Sequence, residues 1–222
     1  CDVLVHLAAH SVVYPFDTLA NCLHWNLMVV LALFEQARLA GICRYVLAGS
    51  CFEYGRSGER YEAIPTSAPL EPTNSYAASK AAASIAIRQW AEEHRLSLDI
   101  LRLFHVYGEG EPEMRLWPSL RRAAFSGQDF EMTKGEQVRE FIYVENAADV
   151  LLRQATQKHH NCKVSIYNVL SETPQTLRSF AEYWWEHWGA IGSLHFGKLS
   201  YRPMEVMRYC GSRQESSYLI AS

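Results

Sequence analysis

Three short apolar runs, D-V-L-V-H-L-A over residues 2–8, C-R-Y-V-L-A over 43–48 and L-D-I-L-R-L-F over 98–104, are separated by two long stretches whose apolar residues recur at helical spacing. The first stretch, 18–40, stops before Gly41, a residue suited to end a helix. The second, 75–94, follows a loop over 56–74 that contains Pro65, Pro69 and Pro72. A strand–helix–strand–helix–strand order supplies each strand with a connection long enough to cross back, so it predicts an α/β fold with a parallel sheet covered by helices on both faces. After Gly108 the pattern loosens into a short helix at 118–125, a hairpin over 129–144, a helix at 145–157, a strand at 165–169 and an aromatic-rich helix at 176–189. The second half is expected to return to the first sheet and to build a smaller lobe.

The 222 residues are 49% hydrophobic and 20% charged, an ordinary composition for a soluble globular chain. A net charge of −3 gives no electrostatic case for nucleic acid or an anionic membrane as partner. The longest apolar run, L-M-V-V-L-A-L-F at 27–34, is far too short to span a bilayer, and nothing resembles a secretory signal. Six scattered cysteines without a C-x-x-C pair point to reduced thiols in a cytoplasmic protein, with neither a disulfide framework nor a metal site. The chain enters a core strand at once with no lead-in, which predicts a fragment lacking its N-terminal part.

Parallel sheets bind ligands beyond the carboxyl ends of their strands, and three segments fall there. In H-L-A-A-H at 6–10, small Ala8 and Ala9 let another molecule approach the backbone, although a plain strand terminus looks the same. Ser50, in A-G-S-C-F-E-Y-G, can hydrogen-bond a substrate oxygen or merely satisfy its own turn. In N-S-Y-A-A-S-K at 74–80, Tyr76 and Lys80 stand one helical turn apart on a shared face. The bland reading is a packed ring beside a snorkelling lysine. The other is a proton-transfer pair: bringing a phenol from ~10 to ~7 needs about 4 kcal/mol in favour of the phenolate. One positive charge at ~4 Å supplies about that much at an effective dielectric of ~20.

The order of these pieces resembles the short-chain dehydrogenase/reductase superfamily, and the wider series resembles its extended branch, the NAD-dependent epimerase/dehydratase family typified by UDP-glucose 4-epimerase. Carrying the likeness are H-L-A-A at 6–9, Asn26, G-S-C-F-E-Y-G at 49–55, P-T-N-S-Y-A-A-S-K at 72–80 and L-R-L-F-H-V-Y-G at 101–108. It continues with E-Q-V-R-E-F-I-Y-V-E-N-A-A at 136–148, Y-N-V at 167–169 and Y-R-P-M-E-V-M at 201–207. The resemblance implies a Rossmann-like sheet whose first βαβ portion is missing. It assigns 1–107 and 137–170 to an incomplete dinucleotide-binding domain, and 108–136 and 171–222 to a substrate-binding lobe. It implies that Tyr76 exchanges a proton with a sugar hydroxyl, that Lys80 lowers its pKa and holds the nicotinamide ribose, and that Ser50 hydrogen-bonds the same sugar oxygen. Leu7, Ala8, Ala9, Asn26 and Phe104 match positions lining NAD or NADP, while Arg139 and Arg202 match contacts to the substrate's diphosphate, a group suited to an arginine fork. Glu205 supports the sugar–nucleotide end or, equally, forms a salt bridge with Arg202 three residues earlier.

Several departures bear on function. The family's G-x-x-G-x-x-G phosphate loop is absent, so this stretch alone is expected to hold the pyrophosphate poorly and does not reveal the choice between NAD and NADP. G-E-G-E at 108–111 precedes a proline, not a helix, and is no substitute. His105 stands where relatives carry an Asn beside the diphosphate. Ser50, Cys51 and Phe52 replace the threonine and Asp-Glu pair of the dehydratases, which argues against water elimination. What remains is epimerisation through a 4-keto intermediate, reduction of a 4-keto sugar, or a non-catalytic dinucleotide sensor. Family members of this kind pair through helices equivalent to 18–40 and 75–94, and Trp25, Leu27, Ile85, Ile87 and Trp90 give those helices apolar residues consistent with a homodimer.

Overall fold

The computed structural model describes residues 2–157 and 162–212, so Cys1 and the end of the lobe expected over 171–222 lie outside it. Strands β1 (Leu4–His6), β2 (Arg44–Ser50), β3 (Ser97–Leu103) and β7 (Val164–Val169) form a parallel sheet in the order β1-β2-β3-β7. Its register aligns Leu4 with Tyr45, Tyr45 with Leu98 and Leu98 with Val164. Period-two alternation divides β2 between two cores. Tyr45 and Leu47 pack with Val30 and Phe34 of α2 (Val29–Leu39) and Ile87 and Trp90 of α3 (Ser75–Glu93). Val46 points the other way, towards Ala147 and Val150 of α5 (Val144–Thr156). Burial on both faces is why the central strands read as unbroken apolar runs.

The helix expected over 18–40 is observed as α1 (Leu19–Leu23), a π-helical turn His24–Met28 and α2. Strand β1 differs from the buried strand expected: Val5 is 39% and Leu7 55% exposed, because β1 is an edge strand with β2 as its one neighbour in the described sheet.

The expected hairpin over 129–144 does not form. β5 (Phe130–Met132) pairs in parallel with β9 (Leu194–Phe196), whereas β6 (Val138–Tyr143) joins β4 (His105–Tyr107), β10 (Arg208–Tyr209) and β8 (Pro174–Thr176). The intervening segment lies against the start of α6 (Leu177–His187). There Gly135 (φ +74°) accepts the Arg178 N–H and has Arg178 where a Cβ would stand. Residues 105–107 and 138–143 thus share a second sheet, and β5, β9, α4 (Leu116–Phe125) and α6 enclose a core of their own around Leu120 and Trp185.

Candidate functional site

Ser50, Tyr76 and Lys80 converge where β2 ends. Asn74 caps α3, its side chain accepting from the Ala77 N–H at 2.9 Å, and this fixes the first turn that carries Tyr76. Lys80 follows one turn later, and its Nζ donates to the Ala48 carbonyl on β2 at 2.6 Å. Ser50 caps the 3₁₀ turn Cys51–Tyr54, accepting from the Phe52 N–H, and its side chain faces the Tyr76 phenol closely enough to act on its pKa. Beneath it the Glu53 carboxylate accepts from the Ser50 N–H at 2.8 Å and pairs with Arg102 Nε at 2.9 Å, with both side chains buried.

The acidified phenol expected from the sequence is absent in the protein alone. Burial pushes Tyr76 up to about 12, against the neighbouring Ser50 side chain and the positive charge of Arg115, which pull it down. Burial also lowers Lys80. The Tyr76 ring is stacked against Phe16 (centroids 5.9 Å apart, planes at 16°) and edged by Phe52, so aromatic rings lie over it.

On the far side of those rings lies a cavity of about 410 Å³, whose lining includes Phe16, Phe52, His105, Arg139, Arg202 and Glu205. Four sequence-predicted substrate residues are therefore brought together. Arg139 on β6 is buried, donating to Glu205 Oε1 at 2.9 Å and to the Val206 carbonyl at 2.7 Å. Glu205 thus pairs with Arg139, not with Arg202 as the three-residue spacing invited, because residues 202–205 form a turn and not a helix. Arg202 is exposed, with its guanidinium 4.6 Å from the Tyr14 ring centroid. His105 packs against Phe52, Phe141 and Tyr209 with Nδ1 unpartnered. Burial, Arg139 and Arg115 hold it well below the usual imidazole range, hence neutral.

The residues expected to line a dinucleotide are less uniform. Leu7, Ala8 and Ala9 are exposed beyond β1, as such a role requires. Asn26 instead spends its amide on the protein: it accepts from the His10 N–H at 2.7 Å and donates to the His10 carbonyl and to Ser79 Oγ. The π-helical turn carries it inward, so it positions the loop after β1. Phe104 is 4% exposed and packs with Cys51, Tyr54 and Leu170 in a core, away from the cavity. On the expected pairing helices, Ile87 and Trp90 are core residues of this chain and Leu27 packs against the same core, whereas Trp25 and Ile85 are 52% and 61% exposed. Among the described residues no cluster of His, Cys, Asp or Glu could hold a metal ion, and no helix is long and apolar enough to cross a membrane.

Sequence reasoning missed Glu53, Arg102, Glu111, Arg115 and the aromatic strap of Tyr14 and Phe16. Only the first carried a readable signal, the S-x-x-E capping box within S-C-F-E.

Comparison with known proteins identifies the family. A family model described as the NAD dependent epimerase/dehydratase family matches residues 1–169. A UDP-glucose 4-epimerase from Streptomyces lividans is 32% identical over 205 residues, 80% of this chain and 60% of that protein. A low-salt glycan biosynthesis protein, Agl12 from Haloferax volcanii, is 30% identical over 158 residues, 69% of this chain and 50% of that protein. The chain thus spans 50–60% of the length of these two relatives. Among solved structures, MoeE5 in complex with UDP-glucose and NAD superposes with a TM-score of 0.83 at 25% identity, covering 96% of this chain and 71% of that one.

Proposed function

Because the chain belongs to the NAD dependent epimerase/dehydratase family, we propose that it contributes the catalytic face of an NAD- or NADP-dependent nucleotide-sugar enzyme, most directly one that epimerises a sugar through a 4-keto intermediate. The observation that carries this reading is the convergence of Ser50 and Tyr76, with Lys80 one turn on, one aromatic layer (Phe16 and Phe52) from a cavity bearing Arg139 and Arg202. The residues present fit the nicotinamide end of a dinucleotide. Lys80 is buried and has two N–H donors left after its bond to Ala48, enough for a ribose diol. His6 Nδ1, also buried and unpartnered, belongs to the same strand end, where the Lys80 charge acts on it. When bound, that cofactor supplies hydride acceptance and return.

The chain's own residues do the rest. Arg139 and Arg202 take the diphosphate, Ser50 holds the reacting oxygen, and Tyr76 removes its proton and later restores it. A reductase reading uses the same residues in one direction: Tyr76, protonated at neutral pH, gives its proton to the keto oxygen that Ser50 holds. Dehydration is less well served, since Cys51 is a buried thiol pushed up to about 12 and Phe52 is a cavity wall. The test is a panel of UDP- and dTDP-linked hexoses with the full-length protein, following cofactor absorbance and product identity. A new isomer without net cofactor change is expected. Net consumption of reduced cofactor would favour the reductase, and cofactor binding with no turnover would make the protein a sensor.

The same reading makes the protein a homodimer through α1–α2 and α3. Trp25, Val29 and Leu33 follow each other at four-residue intervals and are all exposed, as is Ile85 on α3. The double variant Trp25→Glu/Ile85→Glu is expected to sediment as a monomer at concentrations where the parent is a dimer. Unchanged sedimentation would place the interface elsewhere.

A further inference from the structure

The G-E-G-E segment after β4 places a carboxylate in the cavity. Glu111 lines it with a side chain only 11% exposed. Its Oε1 meets Arg115 Nε at 2.8 Å, while Oε2 is buried and has no partner. Burial holds this carboxyl above the usual carboxylate range, against the pull of Arg115 and the Gly108 N–H. A desolvated acceptor with an unused oxygen is a poor arrangement for the empty protein and a good one for a ligand that brings a donor.

What that ligand group is follows from the surroundings. A divalent cation would need further oxygen ligands, and of the two other carboxylates lining the cavity Glu205 is committed to Arg139 while Glu131 is solvent-exposed on β5. A phosphate would be repelled by Glu111 and is better served by Arg139 and Arg202. Glu111 and Arg115 line the same cavity as Phe16 and Phe52, the two rings in contact with Tyr76, so the pair faces the space where the sugar ring of a nucleotide sugar would lie against that phenol.

We propose that Glu111 is a specificity-determining residue: its free Oε2 accepts a hydrogen bond from a hydroxyl or amino group of the sugar, and its charge turns away a sugar bearing a carboxylate. This rests on the nucleotide-sugar reading above. A buried acceptor rejects what cannot pair with it, and here rejection of an anion adds to the attraction for a donor.

The test is calorimetric titration of the full-length protein and its Glu111→Gln variant with UDP, UDP-glucose and UDP-glucuronate, and with dTDP and dTDP-glucose. The parent is expected to bind the glucose conjugate at least about tenfold tighter than the glucuronate, and Glu111→Gln, which keeps the shape and loses the charge, to narrow that preference about fivefold or more. Affinity for the bare nucleoside diphosphate should stay within about twofold, because Glu111 does not touch it in this assignment. An unchanged sugar preference in Glu111→Gln overturns the inference and leaves the nucleotide-sugar reading standing. An equal loss of UDP and UDP-glucose affinity also overturns it, assigning Glu111 to holding Arg115 in place. A parent that binds neither glucose conjugate better than the bare diphosphate overturns both.

Discussion

Replacing Tyr76 by Phe is expected to lower turnover by on the order of 10²–10⁴-fold while nucleotide-sugar affinity stays within about threefold. The variant isolates one atom. Phe keeps the stack on Phe16 and the edge contact with Phe52, so the packing around the ring survives. What goes is the hydroxyl beside Ser50, and losing one hydrogen-bonding group there costs stability only about 1 kcal/mol. A large kinetic loss with a near-normal melting temperature therefore assigns the hydroxyl to proton transfer and not to the core.

The pH profile adds a second signature. With the phenol held up to about 12 by burial, the unliganded protein presents an acid and not a base. Lys80 does not change this, because its ammonium is turned to the Ala48 carbonyl. Ionisation of Tyr76 thus depends on positive charge that arrives with the ligands, and the oxidative half-reaction should speed up with rising pH in the parent and lose that dependence in Tyr76→Phe. Wild-type turnover by Tyr76→Phe would exclude the phenol as the base.

The parallel sheet and its helices were legible because their signals are local: apolar runs of strand length, helical periodicity, and glycine and proline punctuation. The pairing of β5 was not, since it depends on β9, more than sixty residues later, and no local pattern encodes that partner. The site divides in the same way. Ser50, Tyr76 and Lys80 could be named from the order of their segments, because strand ends and a helix start determine where they go. The electrostatics of Tyr76 could not be read, since they depend on desolvation by Phe16 and Phe52, which approach from other segments. The surroundings of Asn26 and Phe104 were not legible for a related reason: a π-helical turn and the core beside Gly211 decide where those side chains point, and both are tertiary.

The largest stability effect is expected at the ion pair beneath the site. Glu53 and Arg102 are 0% and 3% exposed, and each is satisfied several times over. The Glu53 carboxylate accepts from the Ser50 N–H and Arg102 Nε, while Arg102 Nη1 donates to the Thr66 carbonyl and its guanidinium lies 4.6 Å from the Tyr54 ring centroid. Gly49 has no side chain because Glu53 Oε1 stands 2.9 Å from where its Cβ would be. Glu53→Gln removes one charge and strands the other, at a cost of about 3–5 kcal/mol. For a chain of this size that corresponds to a melting temperature lower by roughly 6–20 °C. Removing both charges is a different matter. Glu53→Gln with Arg102→Met leaves no buried charge unpaired, so the double variant should recover much of the stability that either single change loses, and the interaction energy of the cycle should be large. Glu53→Gln melting within about 2 °C of the parent would show that the pair does not hold the Ser50 turn.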